Sequence, residues 1–124
     1  MISKDNVIWF DYCLVDGMVI VSKYMVPKGY SGISLFPFVF VKEKRLKSNS
    51  VFINHECIHL RQQLELLVLP FYLFYGFEFV LKLLKTKNWS MAYRSISFEH
   101  EAYANEHDLN YLKNRPFWNF IRYF

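Results

Sequence analysis

Cysteine is nearly absent: the chain has two, Cys13 and Cys57, far apart in sequence, so no disulfide framework is expected and a reducing, cytoplasmic setting is the natural expectation. Glycine and proline are also scarce, four of each, and neither they nor serine gather into a linker or a low-complexity tract. No repeat is present, and 124 residues make one small domain, 1–124. The start, "MISKDNVIWFDYC", lacks the basic head, apolar run and small-residue cleavage site of a signal peptide, so export is not expected. An uninterrupted apolar stretch is lacking too. The greasiest segment, "LLVLPFYLFYGFEFVLKLL" at 66–84, is broken by Pro70, Gly76, Glu78 and Lys82, so it is not expected to span a bilayer. Glu78 and Lys82 are spaced to pair on a helix surface.

What the chain has in plenty is apolar surface. Hydrophobic residues are 53% of it and aromatics 20%, more than so small a globule hides easily. Some of that surface is expected to meet a membrane surface, a second copy or a groove, and peripheral attachment stays open. The net charge of +4 is spread along the chain. Its densest cluster, Lys42, Lys44, Arg45 and Lys47 beside Glu43, reads as a solvated loop rather than a nucleic-acid footprint.

The fold class expected is α+β, an N-terminal hairpin and edge strand packed on a helical core. Apolar runs with β-branched and aromatic residues flank Asp16-Gly17, which predicts a hairpin within about 7–41, and a third strand at about 33–41 with Pro37 marking an edge or bulge. From "SNS" at 48–50, which supplies candidate N-caps, the texture turns helical to about 113, with a last helix over about 90–113 and an aromatic tail at 115–124.

The stretch "NHECIHLRQQ" holds His55 and His59 four residues apart, with Glu56 directly after the first. Two histidines at that spacing share one helix face within reach of a single metal ion. At about 100° per residue, Ile53, Cys57, Leu60, Leu64 and Leu67 form the apolar stripe, whereas His55 and His59 lie on another face with Phe52 and Gln62. A catalytic zinc wants a third protein ligand. In "ISFEHEAYANEHDLNYL", a wheel set by Phe98, Ala102, Leu109 and Leu112 turns Glu101 inward, with Asn105 at the centre of that face and Asp108 at its edge. The same wheel turns Glu99 and Glu106 away and puts His100 and His107 on the solvent side. Glu101 is therefore the expected third ligand, the alternative being a pair with Arg61 or Arg94. Asn105 and Asp108 are candidates to orient a ligating imidazole.

HExxH followed on a later helix by "EAYAN" resembles the gluzincin zinc metallopeptidases, most nearly the group of CAAX prenyl proteases and membrane heat-shock proteases and the very small minigluzincins. It is also similar to uncharacterised short proteins with "NHExIHxRQQxE" and "FExEAYANE". The resemblance covers about 33–113 and implies a zincin core, a Zn2+ cofactor on His55, His59 and Glu101, and Glu56 as catalytic general base. Asn105 stands where the family carries aspartate. The chemistry implied is peptide hydrolysis: zinc activates a water, Glu56 takes its proton, and Tyr103, His100, Arg61 or Arg94 steadies the oxyanion. The substrate expected is a peptide or protein with apolar segments lying along "ISLFPFVFV". The competing expectation is a non-catalytic membrane-associated or scaffold protein with a structural zinc.

Overall fold

The computed structural model describes residues 19–124. Cys13, the Asp16-Gly17 turn and the first strand expected before it lie outside the described residues. The described elements are three strands, β1 (Val19–Val21), β2 (Gly32–Leu35) and β3 (Phe38–Val41), and five helices. These are α1 (Ser50–Leu66), α2 (Val68–Thr86), α3 (Trp89–Ser95), α4 (Ser97–Asn105) and α5 (Tyr111–Asn114), with 3-10 turns at Lys44–Ser48 and Asn119–Tyr123. The chain is thus mixed helix and strand, as expected.

In the sheet β3 is central, pairing parallel with β1 and antiparallel with β2, so β2 is an edge among the described residues. The single strand expected over 33–41 is in fact two. Pro37 follows a cis peptide bond in the turn that joins β2 to β3, because a ring without an N–H suits a turn better than a ladder.

Asn49 caps α1, its side chain accepting from Phe52 N–H at 3.1 Å. The helix packs on the sheet through Ile53, Cys57 and Leu60, which join Val19, Val39, Val41 and Leu46 in one buried cluster. Its other faces are buried as well: His55, Glu56, His59, Gln62 and Gln63 are all covered. At Leu67 the chain turns through 110° between α1 and α2. Leu67 has φ 64° and ψ 151°, a region ordinarily left to glycine and costing about 1–3 kcal/mol elsewhere in proteins.

Past that corner α2 lies over α3, and a second cluster of Phe71, Ile96 and Phe98 gathers Tyr72, Tyr75, Phe79 and Phe120 around it. No single described helix is long and apolar enough to cross a membrane. Glu78 does not pair with Lys82 on the surface. It is buried, and its carboxylate accepts from Ser97 N–H at 2.6 Å and from the Ser97 hydroxyl at 2.7 Å, which ties α2 to the start of α4.

The helix expected over 90–113 is three pieces, since Ile96 takes an extended conformation between α3 and α4 and a turn at Asp108–Asn110 precedes α5. Within the aromatic tail Phe120 lies against Phe98 and Trp118 N–H donates to Glu65, while Phe117, Ile121 and Phe124 stay exposed. Phe71 is the hub of the second cluster, touching Tyr72, Tyr75 and Phe98 and lying beside His59. Phe71→Ala is expected to destabilise the protein by about 3–5 kcal/mol. Chemical denaturation of the two proteins measures the difference; a loss below about 1 kcal/mol would place Phe71 outside the cooperative core.

Candidate metal centre

Two ring nitrogens and one carboxylate oxygen converge beneath the sheet. His55 Nε2 and His59 Nε2 lie 3.2 Å apart, and Glu99 Oε1 is 3.3 Å from the first and 3.1 Å from the second. All three residues are buried, and the group can hold a metal ion. The triangle has the size that coordination requires. Bonds of about 2.0–2.1 Å in a tetrahedron put ligand atoms about 3.3 Å apart. Two imidazole nitrogens also do not approach to 3.2 Å without a proton or a cation between them.

The outer nitrogens are fixed. His55 Nδ1 lies 2.9 Å from Glu106 Oε2 and His59 Nδ1 lies 2.9 Å from Gln62 Oε1, which points both Nε2 atoms at the same place. The Tyr75 hydroxyl donates to Glu99 Oε2 at 2.7 Å and holds the remaining carboxylate oxygen.

Glu101 is not part of this group, a correction to the expected ligand set. Its carboxylate takes Arg115 Nε at 2.5 Å and a second guanidinium N–H at 3.0 Å, along with the Tyr111 hydroxyl and Gln62 Nε2. The same guanidinium donates to Glu65 at 2.7 Å. The partner is Arg115, neither Arg61 nor Arg94. Phe98, Glu101 and Ala102 do face inward, but Leu109 and Leu112 lie beyond the end of α4, and the inward side of Glu101 meets Arg115 rather than the histidines. Moreover, Glu99 and Glu101, about 200° apart on a helix, are both buried. α4 is enclosed, by the histidines of α1 and by Tyr75 on one side and by Arg115 on the other.

The other expected positions divide. Glu56 is buried, and the Ser34 hydroxyl lies 2.6 Å from its Oε2. Asn105 bonds the Glu101 carbonyl and the Tyr123 hydroxyl rather than an imidazole, and the Asp108 carboxylate accepts from Asn110 N–H while its carbonyl accepts from Asn54. The orienting side chains are Glu106 and Gln62. Glu106, expected on the outer side, keeps helical backbone geometry at the end of α4 and, seven residues after Glu99, shares its face. Tyr103 packs edge-on to His55, with ring centroids 4.6 Å apart, and Arg94 lies over the Tyr103 ring. His100 is exposed and bonds the Tyr123 carbonyl, away from the group. Arg61 does not line either cavity beside the group.

Those two cavities form a cleft that straddles the centre. One, of about 300 Å³, runs past His59, Glu99 and Glu56 between Tyr30, Ile33, Phe71, Tyr72, Phe79, Trp89 and Tyr93. The other, of about 560 Å³, runs past His55 and Glu56 and includes Arg94, Tyr103 and Glu106. Glu56, Gly32, Tyr30 and Tyr93 line both.

The missed residues left partial signals. Ala102 follows Glu99 by three just as Ala104 follows Glu101, so "ExxA" occurs in both registers. Ser34 left none, since only the fold brings β2 to Glu56.

Electrostatically the centre is poised. Burial alone would lower the His59 pKa, but the Glu99 charge and hydrogen bond, with Glu56 behind them, raise it to about 9. Burial would raise Glu99, and the two imidazoles instead hold its carboxyl well below the usual range. Burial, then Glu99, pushes the Tyr75 and Tyr93 phenols up.

Comparison with protein-family models, with curated proteins and with solved structures finds no match.

Two predictions follow from the geometry. Glu99→Ala is expected to weaken metal binding by roughly 10²-fold or more, whereas Glu101→Ala retains the metal and costs about 3–5 kcal/mol because Arg115 is left buried beside a single carboxylate. Calorimetric metal titration and thermal melting of both variants measure this, and the reverse pattern would restore Glu101 as the ligand. For pH, a folded-state pKa of about 9 against an ordinary 6.5 means that protonated His59 stabilises the metal-free protein fully below pH 6.5. That contribution is lost as pH rises through 9. Melting temperatures of metal-stripped protein should therefore fall over that interval, while metal affinity rises as the competing proton leaves. A melting temperature that climbs with pH would contradict the assignment.

Proposed function

We propose that the protein is a zinc-dependent hydrolase of gluzincin type that cleaves peptide bonds, with His55, His59 and Glu99 as the metal ligands and Glu56 as the general base. The carrying observation is one juxtaposition: three ligand atoms 3.1–3.3 Å apart, beside a buried glutamate that follows the first histidine and lines both cavities of a cleft. Two imidazoles and a carboxylate suit zinc, and three protein donors are the number found in catalytic rather than closed structural sites. Zinc bound there supplies a water of lowered pKa and a Lewis acid for the scissile carbonyl.

The chain's own residues do the rest. Glu56 is the base that receives the water's proton and returns it to the leaving amine. The Ser34 hydroxyl, with one hydrogen to share between Glu56 Oε2 and the Glu56 carbonyl at 2.8 Å, keeps the carboxylate aimed into the cleft. Tyr75 steadies Glu99 and Glu106 steadies His55. Tyr103 and Arg94 line the cleft on the His55 side, where a developing oxyanion would find a donor.

Substrate orientation comes from the edge strand. In the register of β2 with β3, the Lys42 N–H bonds the Ser31 carbonyl, so the alternation turns the backbone groups of Gly32 and Ser34 toward the free edge. The Ser34 carbonyl is already held by Gln63 Nε2 at 2.9 Å and by Tyr72. A peptide strand therefore meets β2 at its Gly32 end, and the aromatic cavity next to His59 suits an apolar side chain.

Elemental analysis together with hydrolysis of a panel of apolar fluorogenic peptides tests this reading. Wild-type protein is expected to carry about one zinc per chain and to hydrolyse some of the panel. Glu56→Gln should keep the zinc and lose hydrolysis by about 10²-fold or more. Stoichiometric zinc without hydrolysis would favour the structural-metal reading, and protein that binds no zinc would end both.

A further inference from the structure

Helix α2 is built inside out. Its one acidic residue, Glu78, faces the core and is held by Ser97, while Leu69, Leu73, Phe74, Phe77, Val80 and Leu84 stand between 52 and 71% exposed. At about 100° per residue these six fall within one half of the helix circumference, and the only other positions within that sector are Pro70, Gly76 and Leu81. A contiguous apolar face of this kind marks an interaction site rather than ordinary surface.

Its border carries one sign of charge. From residue 66 to residue 98 Glu78 is the sole acid, so every exposed charge there is a cation: Lys85 beside Leu81 at the edge of the apolar sector, then Lys87 and Arg94. Lys82, Arg94, His100 and Arg122 line a groove of about 550 Å³ whose walls include no aspartate or glutamate and which exposed Met91 and Phe124 border. An apolar face edged by cations is the pattern of a helix lying in a membrane interface, its side chains in the acyl region and its lysines at the phosphates. A second copy of the chain fits less well. A two-fold contact sets this patch against itself, and the cations of one rim would meet only the cations of the other.

We propose that the α2 face docks peripherally on an anionic phospholipid membrane, with Leu73, Phe77, Val80 and Leu84 entering the interface and Lys85 and Arg122 meeting lipid phosphates. The proposal does not depend on the hydrolase reading.

Flotation with vesicles tests it, comparing phosphatidylcholine alone with a phosphatidylcholine–phosphatidylglycerol mixture. The protein is expected to float with the mixed vesicles at least tenfold more tightly than with the neutral ones, and less tightly as salt rises. Neutralising Lys85 and Arg122 to Gln should cost about fivefold each on the mixed vesicles and little on the neutral ones. Phe77→Asp, at an exposed position where circular dichroism should show an unchanged fold, should reduce binding to both. Phe77→Ser provides a milder change with the same expected direction. Wild-type protein that fails to float with the mixed vesicles overturns the proposal, as does binding that Phe77→Asp leaves intact. A concentration-dependent dimer in analytical ultracentrifugation that Phe77→Asp dissociates, without vesicle binding, would assign the face to a second copy instead.

Discussion

Helix α1 is covered on every side, and a buried helix with polar side chains must have each of them answered from another element. An unanswered one costs about 1–3 kcal/mol. Gln63 answers β2, its amide spanning the Ser34 carbonyl and the Phe36 N–H, which fixes the edge strand against the helix. Gln62 answers α4, donating to the Phe98 carbonyl and to Glu101 while its oxygen faces His59. Asn54 answers the turn after α4, with its amide near the carbonyls of Glu106 and Asp108. The two histidines answer Glu99. One helix therefore sets the place of the strand, of the carboxylate helix and of the turn carrying Glu106, and the metal centre is where these obligations converge.

The buried charge around it is held in two separate compartments. On one side of α4, Glu99 is balanced by imidazoles and a phenol; on the other, Glu101 and Glu65 share the Arg115 guanidinium. The second compartment sets two carboxylates on one guanidinium and leaves Glu65 Oε1 without a hydrogen-bond partner, while the first needs a proton or a cation between the two Nε2 atoms. Removing one partner from such a buried set costs more than the set contributes as a whole. The C-terminal segment is anchored through Arg115, which holds Glu101 on the side of α4 away from Glu99.

Much of this was legible in the sequence, and the rest had identifiable physical reasons for being hidden. HExxH marked the metal face because its histidines fall off the stripe of Ile53, Cys57 and Leu60, and that stripe does pack on the sheet. Asn49, one of three candidate caps, is the cap. The third carboxylate could not be read, since choosing between Glu99 and Glu101 requires knowing what covers each side of α4. Periodicity reports only which face is apolar. Arg115 and Tyr111, which claim Glu101, lie beyond the end of that helix. The strand at 33–41 failed for a simpler reason: Pro37 was taken as a flaw in one strand when it closes the turn between two.

The corner at Leu67 explains how the cleft beside the candidate metal centre and an apolar outer face can occupy adjoining parts of so small a fold. Had α1 run straight on, the apolar residues after Leu66 would have continued the axis of the metal helix into solvent. The 110° turn instead lays α2 across α3, so that its inner side supplies Phe71, Tyr72, Tyr75 and Phe79 to the cavity beside His59. Among the described residues nothing covers the outer side, where Leu69, Leu73, Phe74, Phe77, Val80 and Leu84 stand exposed. A contiguous part of the exposed apolar surface therefore lies on one helix face. That same helix forms the wall of the cleft, with Trp89 lining the cavity while 63% exposed at its margin. An apolar segment resting against the outer face would thus lie within one helix diameter, about 10 Å, of the cavity that could receive it.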